Sequence, residues 1–528
     1  VAVFSRQLLI SLLIVLSAFA LAACAGQSNG DDDHAADDDA TVDDDLSDDD
    51  LDDDTTPDDD ADDDTQDDDA VDDDASDDDA DDDADDDLDD DSVDDDTVNI
   101  YADLLPTGPL LKTTFGICSH LAGGTAPNAI RDLETNHLAE AGLLRVRRDF
   151  SWSDIEPAKG EWNWDQPDGF YQEALDHGFA FDALLDYGVG WAMPNGSPSE
   201  IDPADFAEFA GQVAARYCEH IKQYEVWNEE NSARFWAPQP DPERYGLLLK
   251  AAYTAVKNAC PDAQVVFGGL APYAQVAILW DGVYPFFDDV AGVYPDICDS
   301  FDIMAIHPYT FAQTVAPELD FSLLTFTAPD ITGQTADIRA KMANAGCGDK
   351  PVIWNEWGWP SIFISNERQA HYLARGFLLG AKESVTGYYW YTFWDGSGGA
   401  FPITEDYFGL FAYPPESDTP KPSWFAYQAL TGLLSDMKFA GDLSAKLGLS
   451  SDVYALAFAD DDLTHVIVAL WDGRFPGAFT PVSLPFPAGA TDVQVYAEDG
   501  ATLPGPWSDP LSLTLTGQVV YVEFAKSL

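Results

Sequence analysis

Basic residues are scarce in this chain. Its 528 residues include 24 Lys and Arg against 98 Asp and Glu, a formal net charge of −74. A surface of that sign excludes nucleic acid as a partner, because phosphates would be repelled. Signatures for metals and nucleotides are lacking as well. There is no His-Glu-x-x-His and no Cys-x-x-Cys, and the eight His are scattered. No glycine-rich phosphate loop follows the first apolar strand, and no Gly-x-Ser-x-Gly elbow stands out. Neither a metal nor a cofactor is therefore expected. Beyond residue 24, no apolar run approaches the length of a membrane-spanning helix.

The charge is unevenly placed. Residues 31–96 hold 42 Asp and no Lys, Arg or Glu, so the rest of the chain carries −74 + 42 = −32. That stretch repeats Asp-Asp-Asp plus two other residues and has no apolar face, which predicts an extended, solvated tether over 25–98. Calcium would suit the carboxylates, but no Gly-bearing loop with a bidentate Glu is present, so only weak cation binding is expected. Residues 1–24 read as an export signal: Arg6 is the lone charge, 8–16 is mostly apolar, and small residues lead to Cys24. Leu21-Ala22-Ala23-Cys24 resembles the bacterial lipobox, which implies cleavage before Cys24 and its acylation. By the same resemblance, Ala25 favours the outer membrane or cell surface. The expected membrane association is by lipid anchor only, on a monomer.

From about residue 110 short apolar strands alternate with helical stretches. Strands begin near Thr114 (TFGIC), Leu144 (LRVRRDF), Phe181 (FDALLDY), Tyr224 (YEVWNE), Val265 (VVFGGL), Asp302 (DIMAIHPY), Val352 (VIWNEW) and Gly387 (GYYWYTFW). Helical patterns fall at 203–220, 242–258, 335–345 and 367–382. Eight such units predict an α/β fold, a (β/α)8 TIM barrel over 99–430. Beyond it, alternating strands (VYALAFA, THVIVALW, DVQVYAE, LSLTLTG, VVYVEFA) separated by Gly and Pro predict a small all-β sandwich over 431–528. Its expected role is packing against the barrel; sugar binding is the less favoured reading, since few of its aromatics look exposed. Cys218 and Cys260 precede adjacent barrel strands, as do Cys298 and Cys347. Both pairs can therefore meet at the barrel bottom as disulfides, leaving Cys118 free.

Working residues of such barrels sit at the C-terminal strand ends. Those ends present Arg147 and Asp149, Asp186, Asn228 and Glu229, His307 and Tyr309, Glu356, then Trp390. Strands four and seven each place a Glu after a Trp-Asn pair, on opposite sides of the mouth. Two carboxyls facing a gap can divide the labour of glycoside cleavage, one protonating the leaving oxygen and the other attacking the anomeric carbon. A gap of roughly 5–5.5 Å implies retention, and a wider one inversion. Trp390, Trp191 and Trp359 are candidate sugar-stacking surfaces, with Trp394 a rival set by strand register. Arg145 and Arg148 rival Arg147, and His307 reads equally well as a buried hydrogen-bonding group. Glu225, in mid-strand, and Glu230, one past the motif, are set aside.

The run Arg147-Arg148-Asp149-Phe150-Ser151-Trp152 with Ile155-Glu156-Pro157 and Gly160, together with YEVWNE, VIWNEWGW, and Pro420-Lys421-Pro422 with Tyr427, resembles glycoside hydrolase clan A, family 39 most of all, over roughly 112–430. The resemblance implies a retaining glycosidase cleaving a β-linked poly- or oligosaccharide, with Glu229 as acid/base and Glu356 as nucleophile. It further implies that Asn228 binds the sugar 2-hydroxyl, Tyr309 and Arg147 hold Glu356, His307 lines the site and Trp390 forms its apolar floor. A non-catalytic carbohydrate-binding surface lipoprotein and a glycan-remodelling transglycosidase are the alternatives. The long loops at 271–296 and 310–335 are expected to shape the cleft.

Overall fold

The computed structural model describes residues 99–119, 128–143, 145–272, 283–310, 313–320, 329–396, 404–413, 417–474 and 477–526. The export signal with Cys24, the Asp-rich tether to residue 98 and parts of both long loops lie outside the described residues.

Eight parallel strands close into a barrel in sequence order. They are β1 (Phe115–Cys118), β2 (Arg145–Ser151), β3 (Ala180–Asp186), β4 (Gln223–Asn228), β5 (Gln264–Leu270), β6 (Ile303–Ile306), β7 (Val352–Trp357) and β8 (Tyr388–Trp390). β1 pairs with β8 through Gly116 and Tyr389, which shuts the ring. Helices fill the crossovers, among them Pro203–Tyr217, Pro242–Ala259, Ile331–Ala345 and Asn366–Lys382. Two of these begin at Asp-Pro. The Asp202 carboxylate accepts from the Ala204 amide at 3.0 Å and that of Asp241 from the Arg244 amide at 3.0 Å. Proline follows at the first helical position, where a missing N–H costs nothing.

The strands bury both faces. Outward residues such as Ile117, Phe150, Phe267 and Trp390 pack under the helices in one large core. Inside the barrel, Val266, Ile303, Ala305 and Ile353 form a small apolar patch on β5 to β7. The remaining interior is polar. Arg145 pairs with Asp182 at 2.9 Å and donates to Gln223 at 2.6 Å, and the Tyr389 hydroxyl bonds to the same Asp182. Tyr389 reaches across only because Gly116 has no side chain; a Cβ there would lie 2.4 Å from its ring. Arg145 thus serves the lower barrel, whereas Arg148 points outward with its guanidinium 4.3 Å from the Phe170 ring centre.

The C-terminal domain holds a five-stranded antiparallel sheet, β13-β15-β11-β10-β9, and a two-stranded one, β12-β14. Its strands are β9 (Lys438–Asp442), β10 (Val453–Ala459), β11 (His465–Asp472), β12 (Thr480–Leu484), β13 (Ala490–Tyr496), β14 (Leu511–Leu515) and β15 (Val520–Lys526). The sequence pattern misses β9 and β12; Gly441 breaks the first and Pro481 sits within the second. It also misplaces the segment at 100–107, which belongs to this domain and not to the barrel. Ile100, Tyr101 and Leu104 join the sheet core, and the Leu105 and Thr107 amides donate to Ala440 and Phe439 at 3.0 and 2.9 Å. The segment covers the open edge of β9, whose backbone groups would otherwise go unpaired. The domain is tied to the barrel side by Glu318, whose side chain is buried. It accepts from Trp471 Nε1 and pairs with Arg375, both at 2.7 Å.

Disulfides join Cys218 to Cys260 and Cys298 to Cys347, and Cys118 is a free buried thiol. The first closes a separation of 42 residues. Its removal by Cys218→Ser is expected to cost about 2–4 kcal/mol, read from the denaturant midpoint. Alkylation of the native protein should leave Cys118 unmodified, and labelling of four thiols without reductant would contradict both bonds.

Candidate active site

The site is assembled around Arg147, which β2 carries to the upper interior, where it is only 3 % exposed. Its guanidinium makes four bonds. Nε and Nη2 donate to Glu225 at 2.7 and 3.0 Å, Nη2 also to Asn228 at 2.8 Å, and Nη1 to Glu356 at 3.1 Å. Burial alone would lower its pKa, but the charge and hydrogen bonds of Glu225 outweigh that and hold it well above the ordinary arginine value. It is a permanent cation facing two carboxylates. Glu225, dismissed above as mid-strand, is therefore its principal partner. A signal for it was present: a buried Arg in a barrel needs an acid on a neighbouring inward face.

β4 ends in strained backbone. Trp227 and Glu229 have φ of 73° and 48°, the left-handed region that side chains other than glycine seldom occupy. The strain turns Asn228 into the barrel, toward Arg147, and leaves Glu229 on the rim. Asn228 Nδ2 in turn donates to the Tyr187 hydroxyl at 2.9 Å.

The two Trp-Asn-Glu carboxylates meet across the mouth. Glu229, His307 and Glu356 each place one side-chain N or O atom within 4.8 Å of the others. Their partners differ. Glu229 Oε1 lies 2.9 Å from His307 Nδ1, whereas Glu356 accepts from the Tyr309 hydroxyl at 2.9 Å as well as from Arg147. Burial, then the charge of Glu356, pushes the Tyr309 phenol well above its usual pKa, so it stays a donor. Two donors aimed at one carboxylate favour its ionised form. These three residues are also the described group whose donors could converge on a cation. Against that use, Arg147 already sets a positive charge 3.1 Å from Glu356.

Glycines on β5 make room for this set. A Cβ on Gly269 would fall 2.1 Å from His307 Nε2, and one on Gly268 2.2 Å from Glu230 Oε2. Glu230 is fully buried behind Glu229, and burial pushes its carboxyl well up, toward the neutral acid. Asp186, at the end of β3, is raised by burial and then by the charge of Asp149.

The tryptophan expectations need correction. Trp390 is fully buried, donates to the Phe408 carbonyl at 3.1 Å and packs edge-on against Trp357, so it cannot floor the site. Register decides this: it pairs with Ile117 and Trp357, on the outward face. Trp359 is likewise buried, with Nε1 donating to Thr310 Oγ1 at 2.9 Å. Trp394 donates to Glu134 at 3.1 Å and is core as well. Trp191 is partly exposed but packs on Trp152 and donates to the Glu156 carbonyl at 3.0 Å, with no bond to Arg147, Glu229 or Glu356. Besides Tyr309, the rings that stand by the site include Tyr187, stacked on Phe235 at 5.5 Å, and Tyr391, whose phenol is raised by burial and then by the charge of Glu356. Tyr187 directly follows the strand-end Asp186, which was the available signal.

No family model and no curated protein matches the chain. Solved structures do. A family 39 glycoside hydrolase from Bacteroides cellulosilyticus superposes with a TM-score of 0.63 at 22 % identity, covering 80 % of this chain and 83 % of that one. A monomeric β-xylosidase from Caulobacter crescentus gives 0.56 at 17 %, covering 80 % and 98 %. A family 51 α-L-arabinofuranosidase from Bifidobacterium longum gives 0.54 at 14 %, again covering 80 % and 98 %. At these identities the likeness is one of fold, and it spans the barrel together with its β domain.

Loss of Glu225 leaves Arg147 a buried cation short of its bidentate partner. Glu225→Ala should therefore destabilise the protein by about 3–5 kcal/mol in chemical denaturation. Glu225→Gln should lose less, since its amide oxygen still accepts. An unchanged midpoint for Glu225→Ala would show that Arg147 is held by other groups.

Proposed function

We propose that this protein is a retaining O-glycosyl hydrolase acting on a β-linked poly- or oligosaccharide. The observation that carries the reading is the opposed pair Glu229 and Glu356. One oxygen of each lies within 4.8 Å of one of the other, a close approach that favours retention over inversion, in which the carboxyl groups stand roughly 6.5–9.5 Å apart to seat a water. The different surroundings of the two carboxyls support a division of roles. Glu356, between Arg147 and Tyr309, attacks the anomeric carbon as the glycosidic C–O bond breaks. Glu229, beside His307, gives its proton to the departing oxygen. In the second half Glu229 takes a proton from water, whose oxygen displaces Glu356 from the anomeric carbon. Asn228, fixed by Arg147 and Tyr187, is positioned to bind a hydroxyl of the sugar being transferred. The fold shared with a β-xylosidase and an arabinofuranosidase supports carbohydrate as the substrate class.

Glu356→Ala should lose activity on aryl β-glycosides by about 10⁴-fold or more. Glu229→Ala should retain activity on substrates with good leaving groups and regain turnover with azide as an external nucleophile. Proton NMR of the first-formed product should show the starting anomeric configuration. An inverted product would overturn retention, and inertness of the native enzyme across a β-glycan panel would favour a carbohydrate binder. Products lengthened by added acceptor sugar would favour a transglycosidase.

We also propose that the enzyme works outside the cytoplasm on a lipid anchor at Cys24. The lipobox-like run supports this, and two disulfides agree with an oxidising compartment. Radiolabelled palmitate should mark the native chain and not Cys24→Ser, which should move from the membrane to the soluble fraction. Equal labelling of both would refute the anchor.

A further inference from the structure

The C-terminal domain carries a surface groove of about 410 Å³, remote in sequence from the catalytic strands. It lies along β13, an edge strand of the five-stranded sheet. The chain after β13 turns back and covers only the later half of that edge, where the Leu503 amide donates to Val495 at 2.7 Å. The earlier half stays open, opposite Pro506 and Trp507. The volume falls within the range of small-molecule sites, roughly 300–1,000 Å³.

The lining is specific in its chemistry. Phe486, Val493, Pro506 and the half-buried Trp507 supply apolar faces, while Thr491 and Gln494 supply a hydroxyl and an amide. Gln494 Nε2 is engaged with Asp492 at 3.1 Å, which leaves its carbonyl oxygen to accept. No described side chain lining the groove is charged, and beyond the Asp-rich stretch the chain carries a net −32. An anionic ligand would find no cation among the described lining side chains and a net negative charge on the protein. Two carboxylates border the groove, Asp492 on the Gln494 amide at 3.1 Å and Asp509 on the Phe486 amide at 2.9 Å, and both can also accept from hydroxyls. Aromatic faces bordered by neutral hydrogen-bonding groups match a molecule with apolar C–H faces and hydroxyl edges, which is the chemistry of an uncharged sugar.

We propose that this groove is a second carbohydrate site, binding a neutral glycan chain with Trp507 as its stacking platform and Gln494 and Thr491 contacting hydroxyls. The site would hold the polymer to the enzyme without taking part in bond cleavage. The inference stands on the lining of the groove and does not require the catalytic reading.

The test is affinity electrophoresis of the full chain carrying Glu356→Ala, in native gels containing hydroxyethyl cellulose, xylan or galactomannan, with polygalacturonate as the anionic control. Retardation is expected in at least one neutral glycan and not in polygalacturonate. Adding Trp507→Ala should weaken that binding about tenfold, and Gln494→Ala, a surface change that spares the core, should weaken it several-fold. In the chain with both glutamates intact, Trp507→Ala should leave aryl glycoside turnover unchanged and slow the attack on insoluble polymer. The proposal is overturned by equal retardation with and without Trp507, by absence of retardation in every neutral glycan, or by a change of oligomeric state on losing Trp507. Since the gel reads binding in a variant that cannot turn over, a failure of hydrolysis is seen separately from a failure of this site.

Discussion

A guanidinium buried inside a β-barrel is tolerated only if its charge is matched and its donors are satisfied, and Arg147 organises the site by meeting that demand. One carboxylate, Glu225, takes two of its bonds and neutralises it from below. The donors left over reach Asn228 and Glu356. The side chain therefore fixes residues from β4 and β7 relative to one another. Through Asn228 it also fixes Tyr187 on the loop after β3. Three strand ends share one cation, and the geometry of the mouth follows from it.

This explains why two glutamates in the same Trp-Asn-Glu context differ in character. Glu356 has a fixed positive charge and a phenol that burial keeps protonated. Glu229, on the strained turn at the end of β4, has only an imidazole against one oxygen. Identical local sequence gives unlike chemistry because the neighbours come from other strands.

The barrel was legible in the sequence because each strand is a short apolar run bounded by turn residues, and the helices announce themselves by Asp-Pro starts and amphipathic spacing. The polar strand ends were legible for the same reason: a Glu or Arg closing an apolar run has few places to be except the mouth. What stayed hidden depends on register or on distant pairing. Trp390 and Tyr391 are neighbours in an aromatic run, and a shift of one residue sends one ring outward to the helices and the other toward Glu356. The segment at 100–107 reads as the start of the barrel until its amides are seen to reach Phe439 and Ala440, more than three hundred residues later. Glu225 reads only as a mid-strand acid, because its own segment does not name Arg147 as the base it faces.

The Gly268-Gly269 pair shows how much of a site lies in what is missing. Within VVFGGL the two glycines weaken a strand by propensity and read as a local irregularity. In space, each vacant Cβ position is taken by another residue's polar side-chain atoms, Glu230 Oε2 in one case and His307 Nε2 in the other. His307 can press its ring against β5 and turn Nδ1 to Glu229 only because Gly269 offers no side chain. Gly116 does the same service lower down, where Tyr389 crosses to Asp182. None of these glycines has a left-handed φ, so conformational freedom is not their reason for being there. The reason is volume: a barrel that fills its interior with long polar side chains must leave space on the strands opposite them. The cost in strand propensity is set against the His307–Glu229 and Tyr389–Asp182 hydrogen bonds that the space allows.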